Sequence, residues 1–116
     1  MIRIFSIVGI SLLSLHSQQC NKQATAPECI VDLIEVAENN PVQSPPLSVF
    51  QYDYLGKNVY YISSPCCDQF NYVLDDHCEK ICAPGGGFTG KGDGRCNDFF
   101  SVATGKTLIW QDEREQ

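Results

Sequence analysis

Cations are scarce in this chain: eight Lys and Arg stand against fourteen Asp and Glu, a formal net charge of −6 at pH 7 over 116 residues. Phosphate backbones are bound by clustered Lys and Arg, whereas Lys57, Lys80, Lys91, Arg95 and Lys106 are scattered among carboxylates; nucleic acid is excluded as a partner. Histidine is scarcer still, with two in the chain, and beyond the amino-terminal segment only His77 remains, between Asp76 and Cys78. Catalytic partners normally meet across a fold, and a Cys–His pair this close in sequence does not aim an imidazole at its neighbour. Ser63, Ser64 and the dispersed carboxylates form no triad or paired-acid motif, so no catalytic residue is assigned and the chain reads as a non-enzyme. Cys-x-x-Cys pairs are missing, and no Lys-Ser or Lys-Thr follows the glycine-rich stretch at phosphate-loop spacing; no cofactor is implied. A run of about 20 apolar residues, the length a spanning helix needs, is missing too.

What is present at the amino terminus is shorter. A single positive charge, Arg3, precedes an uncharged apolar run from Ile4 to Leu15, and His16-Ser17-Gln18-Gln19 interrupts it. This has the form of a signal peptide over residues 1–19. Cys20 follows at the distance at which a bacterial lipoprotein cysteine is acylated, and residues 20–27 form a polar tether. Ser17-Gln18-Gln19 is an imperfect approach to such a cysteine; Ala24 and Ala26 supply the small residues of ordinary cleavage, which would leave a plainly secreted chain. The expected localisation is the cell envelope, periplasmic or outer-membrane surface, with the membrane reached through a lipid on Cys20.

Seven cysteines make an odd count. Setting Cys20 aside leaves Cys29, Cys66, Cys67, Cys78, Cys82 and Cys96, an even set for three disulfides in an oxidising compartment. The adjacent Cys66 and Cys67 point to opposite faces of an extended segment and suit different partners. Cys78 and Cys82 pair only if the chain between them is not extended. The favoured pattern has Cys29 tying a helix to a sheet and Cys96 closing a glycine loop, although six cysteines allow about fifteen connectivities. Zinc held by Cys66, Cys67, Cys78, Cys82 and His77 is the rival use, favoured only in a reducing compartment.

Residues 28–110 are expected to form one small domain. Thr25 and Glu28 make a capping box with Pro27 in the first turn, and apolar positions recur at Cys29 or Ile30, Leu33 or Ile34, and Ala37; these predict an amphipathic helix that ends at Asn39-Asn40-Pro41, with asparagine in the left-handed cap. Two strands follow, over 47–54 and 58–63. A type II′ turn at Gly56-Lys57 would set Tyr54 opposite Val59 and Tyr52 opposite Tyr61. One hairpin face then carries Phe50, Tyr52, Tyr54, Val59 and Tyr61, and this aromatic face is expected to receive the helix. From Pro65 onward the chain reads as loop-rich, with a short strand at 79–82, a glycine-dense loop over 83–94, a helical turn at 98–103, a last strand at 106–110 and a frayed charged tail at 111–116. The expected fold is α+β: one N-terminal helix packed on a small antiparallel β-sheet, with a disulfide-rich, loop-rich C-terminal half.

Pro65-Cys66-Cys67-Asp68-Gln69-Phe70, Ile81-Cys82-Ala83-Pro84, Gly86-Gly87-Phe88-Thr89-Gly90-Lys91-Gly92-Asp93-Gly94 and Cys96-Asn97-Asp98-Phe99 together resemble a family of small exported or lipoprotein-like bacterial domains of unknown function, common in the Bacteroidota. The resemblance runs from about Cys29 to Trp110 and implies a coherent exported domain, with no activity attached. The function expected from all this is a binding or structural module of the cell envelope with a protein or glycan partner. Two alternatives remain: a protease inhibitor presenting Gly85 to Arg95, and a calcium module using Asp93, Asn97 and Asp98 with Asp75 or Asp76.

Overall fold

The computed structural model describes residues 26–66 and 68–115. Helix α1 (Glu28–Glu38) is followed by strands β1 (Ser48–Tyr54), β2 (Lys57–Ile62), β3 (Phe70–Leu74) and β4 (Lys80–Gly86), a single-turn helix α2 (Phe99–Val102) and strand β5 (Thr104–Gln111). The strands form one sheet in the order β4-β3-β2-β1-β5, and every neighbouring pair is antiparallel. The class is α+β. The carboxy-terminal half holds more regular structure than its composition suggests: β3 lies where a loop was expected, and β4 and β5 both outrun the short strands anticipated there.

Successive hairpins make β1 to β4 a meander, so the β1–β2 and β3–β4 turns lie at one end of the sheet. The β2–β3 connection and the exit from β4 lie at the other. From β4 the chain must return to β5 at the opposite edge, passing over three strands, and this crossing covers one face of the sheet. Phe99 is wholly buried there, 5.0 Å from the Tyr52 ring, 5.1 Å from Tyr54 and 6.2 Å from Tyr61. The aromatic face is therefore filled by the crossover and does not receive α1. The helix takes the other face, where Ile30, fully buried, packs with Val49, Tyr60 and Leu74. The topology explains the difference: only a connection from β4 to β5 is obliged to span the width of the sheet.

The first hairpin also differs from expectation in register. Tyr54 pairs with Lys57, Tyr52 with Val59 and Phe50 with Tyr61. Leu55 and Gly56 form the turn with φ of 51° and 79°, the two left-handed residues of a type I′ turn, whose twist matches that of the strands. The slip of two residues leaves every side chain on its expected face, because strand side chains alternate with period two.

The ends of α1 are made differently from the predicted caps. Pro27 is the N-cap and no side-chain bond caps it; Thr25 lies outside the described residues. At the other end Asn39 is right-handed, with φ −89°, and the Asn39 and Asn40 side-chain amides donate back to the Glu35 and Val36 carbonyls at 2.9 and 2.7 Å. The charged tail is not frayed through Arg114. Asp112 is 4% exposed, its backbone N–H donates to the Leu47 carbonyl at 2.9 Å, and Arg114 reaches the last turn of α1.

Candidate functional site

Two disulfides join described cysteines: Cys29 to Cys78, and Cys82 to Cys96. The first fastens α1 to the β3–β4 turn; the second fastens the crossover, just ahead of α2, to β4. Cys66 is disulfide-bonded as well, and is exposed. Cys20 and Cys67 lie outside the described residues. With Cys66, Cys78 and Cys82 oxidised, the zinc alternative loses its thiolates, since the metal binds the reduced, deprotonated sulfur. Such bridges are those of a chain that folds outside the reducing cytosol. Among the described residues no helix is long and apolar enough to cross a membrane.

The glycine-dense loop is built onto the top of β4 rather than hanging from it. Gly87 N–H donates to the Gln69 carbonyl at 2.8 Å, Gly92 N–H to Gly86 at 3.0 Å and Asp93 N–H to Ala83 at 2.9 Å. Three glycines are demanded by these close approaches, the first being Gly86, where an added Cβ would overlap the Gln69 carbonyl oxygen. A Cβ on Gly87 would stand 2.5 Å from Phe70 Cε1, and one on Gly92 would overlap the Ala83 carbonyl oxygen. Asp93 accepts the Arg95 N–H on its carboxylate at 3.0 Å, and that bond holds its carboxyl below the ordinary value.

The tip is a tight turn closed by Gly90 N–H on the Gly87 carbonyl at 3.1 Å. Phe88 and Thr89 occupy its two central positions. Phe88 is 91% exposed, the most exposed large apolar residue among those described, and Lys91 follows it in the exposed part of the loop. The phenyl ring is thus held in water on an ordered turn, without cover inside the domain.

At the opposite end of the sheet, the β1–β2 and β3–β4 turns and the start of α1 enclose an open cleft of about 1020 Å³. Pro27, Tyr54, Leu55, Val59, Tyr60 and Ile81 give it apolar walls, and Lys57, Asp75, Asp76 and His77 stand at its rim. Asp75 is committed to the turn, accepting the His77 and Glu79 N–H groups at 2.8 and 2.9 Å, with its carboxyl held below the ordinary value by these bonds. Asp76 and His77 are exposed, 3.7 Å apart. Tyr54 donates its hydroxyl to Asp98 at 3.1 Å; burial and then that carboxylate keep the phenol protonated above its usual range.

The residues weighed for catalysis are not brought together. Ser63 and Ser64 lie beyond the far end of β2 from His77, and their hydroxyls bind Ser48 and the Phe70 carbonyl. The proposed calcium ligands are dispersed likewise: Asp75 caps its turn with Asp76 exposed beside it, Asp93 serves its own loop and Asp98 holds Tyr54. Among the described residues, no group of three or more His, Cys, Asp or Glu is placed to share a cation. Sequence reasoning named the glycine loop but passed over Phe88 itself. The signal available was an aromatic residue with glycines on both sides, a composition that gives a large side chain little local cover.

Fold and site thus define a small, disulfide-stapled α+β domain with one ordered aromatic tip. The chain belongs to a domain family of unknown function, DUF6970, whose model matches residues 35–112. The match takes in the whole sheet, the glycine loop and Asp112. No curated protein and no solved structure matches the chain.

Proposed function

We propose that this chain is a non-enzymatic binding module of the cell envelope, held at a membrane by acylation of Cys20 and engaging a protein or glycan partner through the turn that carries Phe88. The observation behind this reading is the exposure of that ring, 91%, on a loop fixed by backbone hydrogen bonds at three points and framed by the Cys82–Cys96 bridge. Preorganisation of this kind lowers the entropy cost of binding. The placement of the tip supports it as well. α1 begins beside the cleft, so a tether ahead of Pro27 leaves from one end of the sheet while Phe88 stands at the other, directed away from the anchored end.

The inhibitor reading is less well supported by the same loop. A protease cleft takes an extended segment as an added strand, and Gly87 to Gly90 is a closed turn.

Two measurements test the proposal. The intact mass of the mature chain should show an acyl increment on Cys20 and a gain of six hydrogens on reduction; an unacylated Cys20 removes the anchor. A photo-reactive phenylalanine analogue at position 88, compared with one at the exposed Val36 on α1, should give a discrete adduct in intact envelopes that excess native domain displaces and Phe88→Ala does not. Equal labelling from both positions would remove Phe88 as the contact.

A further inference from the structure

We infer that the partner of the Phe88 turn is the cleft of a second copy of this chain, so that copies associate head to tail. The inference rests on the reading of Phe88 as a contact residue and adds the identity of what receives it. Three observations carry it.

The first is position. β4 runs from Lys80 at the cleft end to Gly86 at the loop end, a separation of about 20 Å along an extended strand. Tip and cleft therefore lie at opposite ends of one sheet, which is the arrangement a translated copy needs. An interface between two different patches is heterologous and repeats, giving an open row unless rotation closes it.

The second is fit. The tip offers one phenyl ring on a narrow turn, and the cleft, about 1020 Å³, is amply large for it, with Tyr54, Leu55, Val59 and Ile81 as apolar walls. Leu55 is itself 74% exposed at the lip, so one contact would cover an unburied apolar residue on each side.

The third is charge. Within a chain of net charge −6 the tip carries two exposed cations, Lys91 and Arg95, against one carboxylate, Asp93, which accepts the Arg95 N–H. At the cleft rim Asp75 and Asp76 both present carboxylates: Asp75 accepts two backbone N–H groups, and Asp76 is exposed with His77 3.7 Å away. Lys57 shares that rim, so the attraction is set by where Lys91 meets Asp76 and not by a broad field. The six residues between Cys20 and Pro27 let the two reach at most about 25 Å apart, longer than the strand, which leaves anchored domains room to lie along the surface in such a row.

The test uses the disulfide-intact exported chain. Sedimentation should show mass above the monomer that grows with concentration up to the millimolar range. Phe88→Ala should weaken association on the order of tenfold or more, as loss of a central aromatic contact does. Lys91→Asp and Asp76→Lys should each weaken it, and the two together should restore it, a compensation that no general loss of charge produces. The photo-reactive analogue at position 88, in a mixture of light and isotopically heavy chains, should label peptides containing Leu55, Val59 or Ile81 of the other isotope.

A chain that stays monomeric throughout, or association indifferent to Phe88→Ala, overturns the inference. Adducts only to other proteins would overturn it too, while leaving the binding-module reading in place; no adduct of any kind would remove both.

Discussion

Arg114 grips Asp112 with two nitrogens, Nε at 2.9 Å and Nη2 at 2.7 Å. The same guanidinium donates to the Glu38, Ala37 and Asn40 carbonyls at 3.0 to 3.1 Å. These carbonyls lie in and just beyond the last turn of the helix, where a cation also meets the negative end of the helix dipole. The carboxy-terminal segment thus completes the cap of α1 that the Asn39 and Asn40 side-chain amides begin. Arg114→Ala should lower the melting temperature by several degrees, on the order of 5 °C, and speed amide exchange at Asn39 and Asn40. An unchanged melt would mean that water replaces the guanidinium without loss.

Acid should loosen the domain in a defined window. Asp112 is held below its ordinary value first by the Arg114 side chain, Asp75 by the Glu79 backbone and Asp93 by the Arg95 backbone. Each folded value lies below the unfolded one, so on acidification the unfolded chain takes up protons first. The stabilisation is therefore complete above the ordinary carboxylate range and is lost as pH falls through the folded values, below about 4. Melting temperature against pH should be flat from about 7 to 5 and fall beneath that. Asp112→Asn should start lower and fall less; an acid limb identical to the native one would refute the assignment.

Phe99 should be the most costly single truncation. Its ring is wholly buried against three tyrosines, and Phe99→Ala should remove about 3–5 kcal/mol in urea unfolding together with much of the near-ultraviolet circular dichroism. Phe100→Ala, at a residue 56% exposed, is the control and should cost under about 1 kcal/mol.

The loop glycines should separate into two grades. Gly94 has φ 78° with no atom within 4 Å of an added Cβ, so Gly94→Ala should cost only the left-handed penalty of about 1 kcal/mol. Gly92→Ala adds a collision with the Ala83 carbonyl and should detach the loop from β4, seen as loss of exchange protection at the Asp93 amide. Equal costs at the two positions would show that the loop accommodates a side chain freely.

Removing each described bridge should rank by the loop it closes. The cysteines are 49 residues apart in Cys29–Cys78 and 14 in Cys82–Cys96, which gives about 4 and about 3 kcal/mol in the chain-entropy description. Paired Cys→Ala variants compared by urea unfolding check the order; a larger loss at Cys82–Cys96 would point to native-state contacts of the crossover as the main contribution.

How much of this was legible depended on the range of the interaction. The hairpin faces were readable because Phe50, Tyr52 and Tyr54 alternate with Gln51 and Asp53, and that alternation survives a slip of two residues. The register was not, since it turns on Leu55 accepting φ 51°, which its side chain does not announce. Phe70, Tyr72 and Leu74 alternate with Asn71 and Val73 in β3, yet the cysteines and acids flanking this short run made it read as loop. Which face α1 would take was settled by the return of the chain from β4 to β5, a contact between distant parts. Arg114 bonds to residues 74 to 77 positions away, and no local pattern marks such a partner. Of the candidate site, the rigid loop was visible in its glycines and cysteines; the cleft was not, because it joins two turns and a helix start that are far apart in sequence.

The two bridges meet on one short stretch, Cys78 to Cys82, at the base of β4. A pull applied between Cys29 and Cys96 would therefore bypass β1 to β3: force passes from residue 29 to 78, along four peptide links, and from 82 to 96. Until a sulfur–sulfur bond breaks, that path lengthens by no more than the slack in those four links, about 14 Å when fully drawn out. The strands β1 to β3, which lie between residues 29 and 78 in the sequence, stay outside that path.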